Sequence, residues 1–118
     1  MPHLPPQYLR GVALFNAGHF FECHEVLEEI WLPARGAERE FLHALIQAAA
    51  ALHHHQRGNR KGAVGVYGRA RGKLAKSPGR IMGVDTRAFA RELEEFFAAA
   101  SEGRGPAPTP RIRLASGD

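Results

Sequence analysis

The stretch "EREFLHALIQAAAALHHHQRG", residues 38–58, decides the fold class. Its alanines and leucines favour a helix, and neither proline nor glycine interrupts it before Gly58. A helix of this length must bury one side against neighbours, so the flanking segments decide the architecture. Upstream, "FFECHEVLEEIW" repeats apolar residues at Phe20, Cys23, Leu27 and Ile30, close to the helical period, within a helix of roughly 19–32. Pro33 and Gly36 mark its end. Before it, "QYLRGVALFNAG" supports a short helix that Gly18 interrupts. Downstream, Gly58 and Asn59 supply a turn into a fourth helix over roughly 60–75, which Gly62, Gly65, Gly68 and Gly72 weaken while Val64, Tyr67 and Leu74 keep it apolar on one side. Those glycines, three and four apart, also permit a close helix contact. "SPGRIMG" breaks the chain again, and Asp85 is placed to cap a fifth helix over about 86–100 with Phe89, Leu93, Phe96 and Phe97 as its stripe. No alternating apolar run demands a sheet.

A faint repeat refines this picture. "LFNAGHFFECHEVLEEI" overlays "HHQRGNRKGAVGVYGRA" forty residues later, matching Gly18 to Gly58, Cys23 to Ala63 and Val26 to Val66. Each copy is a helix, a small turn residue and a second helix, a pattern similar to a tetratricopeptide unit without its full motif. The expected fold is all-α: a compact bundle of about five helices, built from two antiparallel helical hairpins plus a C-terminal helix. Residues 1–100 form a single helical domain. Residues 101–118, "SEGRGPAPTPRIRLASGD", have the composition of a flexible C-terminal tail.

With 118 residues the chain can make one modest core. A lone cysteine, Cys23, excludes an internal disulfide framework and a cysteine-only metal cage, which leaves a reduced compartment as the default. On the apolar period of its helix, Cys23 is a packing residue rather than a catalytic thiol. The opening "MPHLPPQYLR" lacks the pattern of a signal peptide, and no apolar stretch approaches a membrane span, so a cytoplasmic location without membrane partners follows by elimination. The net charge of +4 is unevenly spread: residues 57–84 carry eight bases and no acid, whereas residues 1–56 hold six acids against three bases. Such a run could follow a phosphate backbone, with Tyr67 as an aromatic contact, making phosphate or RNA binding through 57–80 an alternative function. No helix-turn-helix, zinc finger or glycine-rich phosphate cradle accompanies it.

The polar residues of helix two carry the densest chemistry. His24, Glu28 and Trp31 fall near one side with Phe20 and Leu27, and Glu25 lies between that side and the one holding Glu22 and Glu29. On the long helix His43, Gln47, Ala50 and His54 recur at steps of four, three and four. Facing one another, the two stripes would form a pocket from His24, Glu25, Glu28, Gln47 and His54, walled by Trp31 and Phe20. Carboxylates and imidazoles of this kind can ligate a divalent metal (zinc, manganese or iron), with His24, Glu28 and His54 as candidate ligands for hydrolysis by metal-bound water. In that enzyme Gln47 would orient water or substrate; metal-free proton exchange between a glutamate desolvated beside Trp31 and Phe20 and His24 or His54 is the other catalytic option. "HEVLE" is not the HExxH of zinc proteases, and "EFLH" supplies a single Glu-x-x-His where the di-iron bundles use two. Of "HHH", residues 53–55, only His54 shares the pocket stripe. Against these stands a non-catalytic reading, in which the cluster is half of a helix-helix interface in a structural or partner-binding module. Self-association is a natural partner for so small a core.

The combination "LFNAGHFFECHEVLEEIW", "FLHALIQAAAALHHHQRGNRKGAVGVYGRARGKL" and "GVD" resembles the small bacterial and archaeal proteins grouped as domain of unknown function 309, over residues 8 to about 97. Phe15, Asn16, Gly18, Phe20, Phe21, Glu22, His24, Glu25, Leu27, Glu28 and Trp31 occupy the places of the family's first motif. Leu45, Ile46, Gln47, Ala49, His54, Arg57, Gly58 and Asn59 occupy those of the second, and Gly83, Val84 and Asp85 the third. The resemblance implies a compact helical bundle and brings no biochemical activity with it. The basic run is less characteristic of the family than the Glu/His/Trp and Gln/His motifs, which weakens the nucleic-acid alternative.

Overall fold

The computed structural model describes residues 4–105 and 107–115. Five helices follow in order: α1 (Pro6–Asn16), α2 (Phe20–Trp31), α3 (Gly36–Gln56), α4 (Arg60–Lys76) and α5 (Thr86–Ser101). The central element is α3, packed against α2 on one side and α4 on the other, with α1 against α2 and α5 against α4. The helical-hairpin bundle read from the sequence is therefore the observed fold. Among the described residues no helix is long and apolar enough to cross a membrane.

Both hairpin turns use the same device, which accounts for the repeat. Gly18 and Gly58 adopt positive φ, 82° and 78°. Around them the His19 N–H reaches back to the Leu14 carbonyl at 2.9 Å and the Asn59 N–H to the His54 carbonyl at 2.9 Å. This six-to-one closure satisfies carbonyls that the helix end would leave unpaired, and glycine alone meets it without strain. At the start of α5, Asp85 accepts from the Arg87 and Ala88 backbone N–H groups, the capping expected of it.

The close helix contact falls elsewhere than the glycines of α4. At Gly65, Gly68 and Gly72 an added Cβ would meet nothing within 4 Å. The tight crossing lies between α1 and α2, where a Cβ on Gly11 would stand 2.5 Å from Cδ2 of Leu27. The long helix packs through Ala44, Ala48, Ala49 and Ala51, all fully buried. Cys23 is buried with them, and burial pushes its thiol up to about 12, consistent with packing rather than nucleophilic chemistry.

Two expectations need correction. "SPGRIMG" is more than a break: β1 (Arg80–Ile81) and β2 (Val84–Asp85) pair antiparallel across Met82 and Gly83, both at positive φ, as a two-residue hairpin turn requires. The tail expected to be flexible from residue 101 returns to the core. Ile112 is buried, its N–H donates to Asn16 Oδ1 at 2.8 Å, its carbonyl accepts from Asn16 Nδ2 at 2.9 Å, and Leu114 bridges Val84. One buried isoleucine and a double hydrogen bond to a half-buried asparagine anchor a segment whose prolines and glycines suggest disorder. Residues 106 and 116–118 of that tail lie outside the described residues. Amide exchange tests the anchoring: the Ile112 N–H is expected to exchange about tenfold or more below the free-peptide rate, an opening free energy of about 1.4 kcal/mol or more. Free-peptide exchange would restore the flexible tail.

Candidate functional site

Steps of four and three along α2 carry His24, Glu28 and Trp31 onto one face, which turns toward α3. There α3 presents His43, Gln47 and Ala50, and α4 completes the wall with Val66 and Arg69. Together they line a cavity of about 230 Å³.

Trp31 is the most constrained member. Its ring stacks on His43 with centroids 5.0 Å apart, and the Arg39 guanidinium carbon stands 4.4 Å from its ring centroid, a cation–π contact. Arg39 Nη1 also donates to the carbonyls of Trp31 and Leu32, both at 3.0 Å, so the same arginine closes the end of α2. His43 is held below the ordinary imidazole range, chiefly by burial and then by the positive charge of Lys73, against the opposing charge of Glu40. It is a neutral ring at neutral pH. Lys73 bonds Glu40 at 2.8 Å, so the "EFLH" pair divides, Glu40 to a salt bridge and His43 to the tryptophan.

His24 turns Nε2 toward Glu28 Oε2 at 3.6 Å, just beyond hydrogen-bond length. Its other nitrogen is buried and unpaired. Among the described residues, the buried side-chain nitrogen or oxygen atoms without a hydrogen-bond partner are His24 Nδ1, Trp31 Nε1 and Gln47 Oε1, and all three residues line this one cavity. Leaving such an atom unsatisfied costs about 1–3 kcal/mol, so each of the three calls for a partner within the cavity.

Of the residues expected in the pocket, His24, Glu28, Gln47 and Trp31 converge. Glu25, one position past His24, is exposed and outside the lining. Phe20 is a core residue, edge-to-face with Phe15 at 5.1 Å. His54 lies one turn beyond the cavity, with Nδ1 3.1 Å from the Asn59 side-chain amide, where the helix is already closing into its turn. The proposed ligand set of His24, Glu28 and His54 is therefore not assembled, and among the described residues no group of three or more His, Cys, Asp or Glu side chains is arranged to hold a metal ion. Two polar residues of the lining, His43 and Arg69, stand outside the set expected from the sequence. His43 lay on the recognised α3 stripe, and its four-residue step to Gln47 was a usable signal. Arg69 carried none, because its place depends on how α4 crosses α3.

A family model described as a domain of unknown function, DUF309, matches residues 8–66. An uncharacterized protein of Aquifex aeolicus (strain VF5) is 31% identical over 93 residues, 78% of this chain and 28% of that protein. The uncharacterized protein YpuF of Bacillus subtilis (strain 168) is 42% identical over 62 residues, 50% of this chain and 35% of that protein. The chain thus spans about a third of the length of these relatives. A crystal structure of a conserved hypothetical protein from Thermus thermophilus superposes with a TM-score of 0.71 at 34% identity, covering 82% of this chain and 100% of the other.

Proposed function

We propose, from the premise that this chain belongs to the DUF309 family, that it is a binding module whose pocket between α2, α3 and α4 takes a polar, amide-bearing group of a partner. The relatives above are uncharacterized, so the support comes from the pocket's own chemistry. The observation that carries it is the convergence of His24 Nδ1, Trp31 Nε1 and Gln47 Oε1, buried and unpaired, on one cavity. In its neutral tautomer with the proton on Nε2, toward the Glu28 carboxylate, His24 offers Nδ1 as an acceptor. The pocket then offers two acceptors and one indole donor beside a flat aromatic wall. A carboxamide, with N–H donors and a carbonyl on one planar group, complements that set. A polypeptide partner or a second copy of this chain supplies such groups, and a cytoplasmic setting suits a chain with one buried, reduced cysteine. Metal-dependent hydrolysis has less support, since His54 stands outside the pocket.

Gln47→Met separates a binding site from a packing network, because it removes the acceptor and keeps most of the volume. A fold in which that carbonyl has no internal partner loses nothing, and urea unfolding is expected to show an unchanged protein or a gain of up to about 1–2 kcal/mol. Trp31 is the sole tryptophan, so its fluorescence reports on the pocket alone. It is expected to respond saturably to N-methylacetamide or an asparagine-containing peptide in the parent and not in the variant. Destabilisation by about 1 kcal/mol or more would make Gln47 a structural residue and overturn the reading.

A further inference from the structure

The basic segment does not form one surface. Lys73 turns to Glu40 on α3, Arg69 lines the pocket just described, and Arg60 donates to the Ala100 carbonyl at the far end of α5. A continuous phosphate track along α4 is therefore dispersed around the helix. What the fold gathers instead is a different set, drawn from two helices. Arg71 of α4 meets Arg87 and Arg91 of α5 across a groove of about 500 Å³, floored by Leu74 and bordered by Tyr67 and Glu94. Two of these arginines, Arg87 and Arg91, lie outside the basic run altogether.

Three guanidiniums on one concave surface repel one another, and a fold normally relieves this with carboxylates. Here the groove contains one, Glu94, and among the described residues no carboxylate oxygen lies within 4.0 Å of Arg71, Arg87 or Arg91. Arg87 is also fixed in place. Its Nη1 donates at 3.0 Å to the Leu74 carbonyl in the last turn of α4, leaving the rest of its planar donor fork free. Tyr67 is held by stacking on Phe97, with centroids 4.6 Å apart. The groove thus has three exposed arginines, one of them prepositioned, and a rigid aromatic edge.

We propose that the groove between α4 and α5 is a binding site for a small phosphoryl anion, held jointly by Arg71, Arg87 and Arg91. A phosphoryl group presents several oxygens and up to two charges, so it can accept from three forks approaching from different walls, where a monocarboxylate has two oxygens to share. The site is separate from the amide-binding pocket and does not depend on it.

Calorimetric titration of the full chain with inorganic pyrophosphate, and with inorganic phosphate in parallel, tests the assignment at low ionic strength. Saturable binding at one site is expected, weakened about tenfold by Arg71→Gln and about tenfold by Arg91→Gln. Arg57→Gln and Lys61→Gln, at the other end of α4, leave it unchanged. Arg71 and Arg91 are exposed, and a thermal melt of each variant checks that the fold is intact. Equal weakening by the distant variants would mean diffuse charge attraction, and absence of saturable binding to both anions would remove the site. Titration with a single-stranded RNA oligomer and with succinate completes the test: tighter RNA binding lost through Arg57 and Lys61, or a preference for the dicarboxylate, would each overturn the proposal.

Discussion

Phe15→Ala is expected to destabilise the protein by about 3–5 kcal/mol in urea unfolding. Phe15 is fully buried, edge-to-face with Phe20 of α2 at 5.1 Å and with Phe89 of α5 at 5.6 Å. It is therefore the place where the first hairpin and the last helix share a core. Truncation removes the ring's transfer free energy and leaves a cavity that three separate helices would have to move to close. Total stability of a small domain is about 5–15 kcal/mol, so the variant should lose a large part of it. A cost under about 1 kcal/mol would show that the helices collapse onto the gap and that this junction is not rigid.

Gly11→Ala should destabilise by about 1–3 kcal/mol, although glycine to alanine inside a helix ordinarily gains about 1 kcal/mol. The sign reverses because the new Cβ would stand 2.5 Å from Cδ2 and 2.9 Å from Cγ of Leu27, a fully buried side chain. Gly68→Ala supplies the control. Nothing lies within 4 Å of that position, so the ordinary helical gain of about 1 kcal/mol is expected there. The double variant Gly11→Ala with Leu27→Ala should cost less than the sum of the two single changes, because the added methyl occupies part of the cavity the leucine leaves. Additive costs would mean that the two helices do not meet through this pair.

Much of this fold was legible from periodicity. The alanine-rich α3, the apolar stripe of α2 and the Asp85 cap are local patterns, and the structure forms the corresponding helices with that cap in place. The repeated Gly18 and Gly58 turns were readable too, since a left-handed closing residue selects glycine. The return of the C-terminal segment was not, because its anchor is the pairing of Asn16 with Ile112, ninety-six positions apart. Neither residue carries a local signature of the other. The same reason hid Gly11, which in sequence is one more glycine in a short helix.

The candidate site divides along the same line. Helical period alone aligns His24, Glu28 and Trp31 on one face of α2, and His43 and Gln47 on one face of α3, so these groupings are legible in the text of the chain. That the two faces meet, that Glu25 and His54 fall outside the meeting, and that Arg69 joins it follows from long-range packing. It also drew Arg71, Arg87 and Arg91 into one groove while scattering the basic run that looked continuous in the text. Side-chain direction within a helix follows from a local backbone repeat, whereas which turns of two helices face each other depends on the distant packing that sets their crossing.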